Sequence, residues 1–466
     1  MKMASSIALT EAARSSETGS WRAGVMEKKT SDLSSKLADF TVGFDLDSVP
    51  AKALENAKIA ILDSLGVAIL ATRQEIGTIL LNFARNNIGT GPCTIWGTAL
   101  KTTPRDAALI NGTLAHGLDY DDRNHSSTYT LAASLAAAET RDSSGARMME
   151  GFIAGREVRS ALDGLFSKRS SGIGPGARGW HSNGILGPIA AACSVSKILE
   201  LNLEQTRAAI GLAAGSCGAL TRDGGTMAKP FRVGQAAATG LTCALLAKES
   251  FTSDDSALEG RYGLIEALGP IPEEILDELA RNLGTRFDLE TVGVNVKPFA
   301  SCTATHSGLE AMLRIMAKNS ISPADVESIE ADLKPYPLVR QRPTRGFEGR
   351  FSMPFCLAMT MIYRSLNPGD FTDKRLSEPL VQRAIDRTRH VPDSPVLTVI
   401  LKDGTKITEP IQPHTNLQGW DAVSKKFEKS VAGCLSKDQQ HKVVELVSHL
   451  DKLPSAAELA RNLCAA

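Results

Sequence analysis

The chain lacks the features that mark several broad classes of protein. It has no excess charge of either sign: Lys plus Arg number 52 and Asp plus Glu number 52. No net field therefore draws it to nucleic acid or to an anionic membrane surface. It has no CxxC pair, because the eight cysteines at 93, 193, 217, 243, 302, 356, 434 and 464 are scattered. This argues against a zinc ribbon or a disulfide framework and reads as reduced cytosolic thiols, mostly in the core. No run approaches the roughly eighteen apolar residues needed to span a bilayer, and nothing near the start has a secretory apolar region. The expectation is a soluble, cytoplasmic protein of 466 residues, long enough for two domains with substantial cores. Its expected partners are small molecules and copies of itself, with no nucleic acid and no membrane.

Residues 1–30 are rich in Ser, Thr, Ala and charge with little periodic pattern, which reads as a disordered extension. The Arg14 region offers an organelle-targeting alternative, against which Glu11 and Glu17 count, and Met26 is an alternative start. From Asp32 to about 283 the pattern is helical. In AKALENAKIAILDSLGVAIL, Leu54, Ala57, Ile61, Leu65 and Ala68 recur at spacings of three and four and make one apolar stripe. The same logic predicts helices over 105–118, 128–139, 145–163 and 183–200. Small residues dominate them, as in LAASLAAAE and GPIAAACSVSK, which suits close packing in a bundle. Near 284 the character changes. VESIEADL (326–333) and VLTVILKDGTKIT (396–408) alternate at the strand period, Asp403-Gly404 is a hairpin turn signal, and LAMTMIYRSL (357–366) between them reads as a helix. The last fifty residues are helical again. The expected architecture is mainly α: a large all-helical domain built from 31–283 and 413–466, with a smaller α+β lid domain, 284–412, inserted between the two parts.

Four stretches can carry chemistry. HGLDYDDRNH (116–125) gathers His116, Asp119, Asp121, Asp122 and His125 at the end of a predicted helix. Imidazole and carboxylates at this spacing suit zinc or a non-haem metal, but no distant ligand motif matches, and the plain alternative is a solvated helix end. In GWHSNGILG, His181 precedes a helix, whose positive N-terminal field disfavours the imidazolium and leaves a base; alternatively it is an ordinary surface or core histidine. In GGTMAKPFRVGQAAATG, Pro230 suits a first helical turn, and Lys229 and Arg232 there suit a carboxylate or phosphate; the alternative is a solvated basic loop. NVKPFASCTATH (295–306) holds Lys297, Cys302 and His306. The Cys302–His306 spacing matches no thiol mechanism, and Lys297 reads as a second anion contact.

The succession NGTLAHGLDYDD, GWHSNGILG, GGTMAKPFRVGQAAATGL, KPFASCTATHSGLEAM, FSMPF and VILKDGT, from about Leu33 to the KKF helix near the C-terminus, resembles the MmgE/PrpD family. That family includes 2-methylcitrate dehydratase, cis-aconitate decarboxylase and iminodisuccinate epimerase. The resemblance implies a large helical domain with a smaller α+β lid, an active site between them, a homodimer, and chemistry on small polycarboxylic acids with neither metal nor organic cofactor. Carried over by position, it implies functional roles for Asp119, His181, Lys229 and Lys297. Arg123 stands where relatives commonly have Thr. The second histidine falls on His125 or on Tyr129, the decarboxylases' lid tyrosine is replaced by Phe355, and Arg232 stands where many relatives have His.

What these matches imply is a carbanion beside a carboxylate, held by fixed cations. Lys229, Lys297 and Arg232 would hold carboxylates, with Arg340, Arg342 or Arg345 as additions and Tyr129 and Arg123 as further binding positions. His181 would move the proton, and Asp119 would orient a partner or donate through His125. The leading expectation is a cofactor-free lyase, a dehydratase or decarboxylase. An epimerase or isomerase of a substituted dicarboxylate is the second, and a catalytically degenerate carboxylate-binding member is the third.

Overall fold

In the computed structural model, residues 32–465 are described apart from 123, 167–173, 270, 272 and 334–339. The 1–30 extension lies outside the described residues. The chain is mainly helical, and its first part runs α1 (Leu33–Gly43), α2 (Ala51–Ala71), α3 (Glu75–Asn87), α4 (Pro104–His116), α5 (Ser126–Arg141), α6 (Gly145–Leu162), α7 (Ser182–Ile198), α8 (Leu203–Gly215) and α9 (Ala228–Lys248). Local chemistry sets the starts. Thr103 accepts a hydrogen bond from the Asp106 N–H with Pro104 at the first helical position, Ser144 accepts from Arg147 N–H, and Asn202 with Gln205 forms a reciprocal capping box. One departure from the expected all-helical domain is a short antiparallel ribbon, β1 (Cys93–Thr94) with β2 (Lys101–Thr102); it is too brief for period-two alternation to register.

The small residues do what their size allows. A Cβ on Gly112 of α4 would lie 3.0 Å from the Gly234 Cα of α9, and one on Gly234 would lie 2.2 Å from the Leu109 carbonyl oxygen. A Cβ on Gly240 would meet Ala191 and the Pro188 carbonyl of α7 at 2.5 and 2.6 Å. α9 therefore lies backbone to backbone between α4 and α7, closer than larger side chains permit. That approach brings the start of α9 beside the end of α4.

After α10 (Leu264–Leu268), α11 (Glu273–Asn282) and α12 (Asp288–Thr291), a second hydrophobic core forms from residues between Ala300 and Val399. It is built on α13 (His306–Lys318), α14 (Met353–Tyr363), α15 (Asp373–Leu376), α16 (Pro379–Asp386) and a four-stranded sheet. The sheet order is β4 (Thr388–His390), β3 (Val326–Ala331), β5 (Val396–Leu401), β6 (Lys406–Pro410). β5 and β6 form the hairpin at Asp403-Gly404, where Gly404 takes φ +88 and Asp403 Oδ1 accepts the Thr405 N–H. The chain enters and leaves this region side by side, since Leu417 N–H donates to the Val296 carbonyl at 2.9 Å. It then closes with α17 (Gly419–Val431), α18 (Lys437–Ser448) and α19 (Ala457–Asn462), and α17 packs on α2 of the first core.

Replacing Gly234 by Ala is expected to lower the unfolding free energy by about 1–3 kcal/mol, because the new methyl overlaps backbone of α4 that has no space to yield. Urea unfolding measures it; an unchanged midpoint would show that the two helices separate freely.

Candidate active site

α4 ends at His116, and the turn leading to α5 sends its side chains inward. Asp119, Asp121 and Asp122 are all buried, so this is not a solvated helix end. Asp119 and His125 adopt left-handed backbone conformations with φ +50 and +61, which helps neighbouring side chains face different ways. Asp122 is structural: its Oδ1 accepts the Asn124 and His125 N–H groups at 3.0 Å each, and its Oδ2 meets the Ser127 hydroxyl and Arg156 Nη1, the latter at 3.1 Å. It thereby secures the start of α5.

Asp121 bridges two imidazoles. Its Oδ1 is 2.9 Å from His116 Nδ1 and its Oδ2 is 2.9 Å from His125 Nδ1. We assign both Nδ1 atoms as donors, which leaves each Nε2 to accept or to take a proton. His116 Nε2 lies 2.9 Å from Lys229 Nζ. Burial and the adjacent Lys229 ammonium push the His116 imidazole down to about 4. Burial pulls the Asp121 carboxyl upward, but the two imidazoles beside it outweigh that and hold it far below the usual carboxylate range.

Asp119 is held by two ammonium groups. Lys229 Nζ lies 2.5 Å from Oδ1, and Lys297 Nζ lies 3.2 Å from Oδ2 while donating to the Asp119 carbonyl at 2.8 Å. Burial opposes ionisation, yet Lys229 and Lys297 keep the Asp119 carboxyl well below its ordinary value. Lys297 is pushed down by burial and up, to a greater net extent, by Asp119.

These groups face a cavity of about 500 Å³. Asp119, His125, Lys229 and Lys297 form one wall; His181, Ser182 and Asn183 at the start of α7 form another, with Arg159 and Asp163 from the end of α6. Cys302, Thr303 and His414 contribute from the region of the second core. Arg159 pairs with Asp163 and donates to Asn183 Oδ1 at 3.4 Å. The size suits a small ligand, and most of the side chains that line it are polar or charged. Two lysines can receive a carboxylate while imidazoles on different walls exchange protons with the atom beside it.

The expected residues separate here. Asp119, His125, His181, Lys229 and Lys297 share the cavity. Tyr129 does not line it: one helical turn beyond His125, it is fully buried in the first core, with its ring beside Gly187 of α7. Arg232 also departs, because one turn beyond Lys229 its half-exposed side chain turns back to Asp223 at 3.6 Å. Arg123 lies outside the described residues. Arg342 and Arg345 form surface pairs with Asp386 and Asp373, whereas Arg340 donates to the Gly224 carbonyl at 3.1 Å, beside the turn that precedes Lys229. Phe355 packs on Phe371 in the second core, and His306 Nε2 meets the Ser301 carbonyl at 3.1 Å rather than pairing with Cys302. Arg159, Asp163 and His414 are isolated polar residues with no local motif to mark them, whereas Asn183 stands inside the GWHSNGILG stretch, where only His181 is singled out. The sequence offers His116 only as a candidate metal ligand, although its place one turn before Asp119 and Asp121 is the signal for its pairing with Asp121.

His116, Asp119, Asp121 and His125 offer ligand atoms within 4.8 Å of one another, the spacing of a metal centre. Two ammonium groups already sit against Asp119, and Lys229 also occupies the face of His116 Nε2. A divalent ion would have to enter against both charges, so the donor set fits a lysine-neutralised carboxylate better than a metal.

A mainly helical protein with two cores and a lysine- and histidine-lined cavity made for acid–base work on an anion is the class defined so far. Residues 35–273 match the MmgE/PrpD N-terminal domain and 299–452 the MmgE/PrpD C-terminal domain, and the chain belongs to this family. It is 25% identical to the cis-aconitate decarboxylase of Mus musculus over 453 residues, covering 90% of this chain and 91% of that protein. It is 22% identical to the Homo sapiens cis-aconitate decarboxylase, covering 90% and 92%, and 22% identical to that of Aspergillus terreus, covering 93% and 96%.

Because His116 titrates near 4 when folded against 6.5 unfolded, the unfolded chain binds the extra proton between those values. Stability from this group is complete above 6.5 and is lost as pH falls through about 4, on the order of a few kcal/mol. Melting curves of wild type and His116→Gln should therefore differ in slope across that window; parallel curves would refute the shift. Elemental analysis is expected to find metal far below one equivalent per chain, and an equivalent of zinc or iron that Asp119→Asn loses would overturn the lysine-neutralised reading.

Proposed function

We propose that this protein is a cofactor-free lyase, a decarboxylase or dehydratase of a small di- or tricarboxylic acid, working through a carbanion- or enolate-like intermediate. The observation that carries this is the convergence of Lys229 and Lys297 on the buried Asp119, beside the Asp121-bridged imidazoles and facing His181. The relatives named cis-aconitate decarboxylase support the same reaction class.

The two ammonium groups receive a substrate carboxylate. When the neighbouring carbon loses CO₂ or a proton, the electron pair left behind spreads into that carboxylate, and cations already in place stabilise it without reorganisation. In decarboxylation the carbon is then protonated. In dehydration the pair expels hydroxide, which leaves as water after taking a proton. His181 moves the proton on one side. On the other, His125 has Nδ1 fixed by Asp121 and lines the cavity, with the ionised Asp119 3.9 Å from its Nε2, so that nitrogen can take a proton from the bound acid or return one.

The test is proton NMR in D₂O with cis-aconitate, 2-methylcitrate and substituted succinates. A new vinyl or methylene product establishes a lyase. Deuterium entering an α-position without net conversion establishes an epimerase instead, and silence with retained ligand binding establishes a carboxylate-binding protein. Lys229→Ala should lower kcat/KM by about 10²–10³-fold while the fold persists, the loss typical of one preorganised donor; full activity in that variant would remove Lys229 from the mechanism.

A further inference from the structure

Tyr120 lies between the two acidic residues of the site, and it is held from a direction that the cavity does not use. Lys426 of α17 places its ammonium 3.7 Å from the centre of the Tyr120 ring and donates to the Tyr120 carbonyl at 2.7 Å. The same ammonium lies 2.7 Å from Asp63 Oδ1 of α2, and both charged side chains are buried. Tyr120 itself packs against both hydrophobic cores.

From this arrangement we infer that Asp63 and Lys426 are positioning residues, a buried ion pair that fixes the Tyr120 peptide and so sets the pose of Asp119 before it and Asp121 after it. Neither side chain lines the cavity. The peptide carries one side chain that grips Lys229 and Lys297 and another that grips His116 and His125. A rotation there shifts the Asp119 and Asp121 carboxylates against their partners; α4, α9 and the start of α5 hold the far ends of those contacts, and Lys297 holds the Asp119 carbonyl on one side of Tyr120. Lys426 secures the middle. Asp63 keeps the ammonium in place, since an unpaired charge buried at this depth would draw water or rearrange. Burial pushes the Asp63 carboxyl up to about 6 and the Lys426 ammonium down, so the pair is retained although it is an expensive way to stabilise two helices. A purely structural contact between α2 and α17 is served as well by apolar residues.

The test separates positioning from stability. In the full-length protein, Asp63→Asn combined with Lys426→Met removes both buried charges together and keeps the volume, so the melting temperature should stay within about 5 °C of wild type. Imidazole ¹⁵N–¹H correlations, assigned with His116→Gln and His125→Gln, should nevertheless show the His116 and His125 signals displaced. The kinetic half rests on the lyase reading: kcat should fall about tenfold or more with KM changed less than about twofold, and Lys426→Arg should restore it. Imidazole signals that superimpose on those of wild type would overturn the positioning role, whatever the activity. If those signals move while the wild type converts none of the acids tried, the positioning role stands and the lyase reading falls. Should the double variant not fold, Tyr120→Leu leaves the ion pair whole, removes the ring it grips, and carries the same expectation for the two imidazoles.

Discussion

The site depends on one carboxylate that could not be where it is alone. Asp119 is buried, and an ionised carboxyl in such surroundings is tolerable only with cations against it. Those cations arrive from 110 and 178 residues further along the chain, one at the start of α9 and one where the chain crosses to the second core. The close glycine contacts between α4 and α9 thereby gain a purpose, since they bring Lys229 within 2.5 Å of Asp119 Oδ1. Burial first, and then the same ammonium, keep the His116 imidazole neutral, so one charge placement bears on both an acid and a base.

The four residues from Asp119 to Asp122 show how much a short turn can organise when each side chain has its own partner. Asp119 faces lysines, Tyr120 faces Lys426, Asp121 faces histidines and Asp122 faces Arg156 and the backbone of α5. A left-handed residue near each end of the turn, at 119 and 125, makes this divergence possible at a modest backbone cost. Proton transfer asks for this economy, because groups placed on one short segment keep fixed distances from one another while the surrounding helices supply the field.

Much of this was legible in the chain itself. Helical spacing marked α4 to α7 to within about two residues, the alternation of 396–408 with Asp403-Gly404 marked the hairpin, and the density of ionisable groups at 116–125 marked one wall of the cavity. What escaped was decided by angle and depth rather than by residue type. His125 and Tyr129 stand one turn apart on the same approach to α5, and only packing sends one to the cavity and the other to the core. Lys229 and Arg232 stand one turn apart at the start of α9, yet Asp223 draws the second away. Arg159 carries no local motif and Lys426 stands in the KKF helix without any sign of its role, although the lone Asp63 in the apolar face of α2 was a sign that a buried cation must lie opposite. The strand β4 is three residues long and partly exposed, below the length at which alternation carries information.

The hydrogen bond between Leu417 and Val296 also bears on how such a protein can change over time. The chain leaves the first core at Val296 and returns beside it at Leu417, through one doorway, so the segment between them, β6 included, is a cassette by chain order. Lys297 stands on the threshold, directly after Val296, and is fixed by the doorway rather than by the cassette's contents. Residues such as Thr303 belong to the cassette and line the cavity. Insertions, deletions or wholesale replacement within it can reshape what the cavity admits, while the doorway and the first core preserve the charged groups that any such ligand meets.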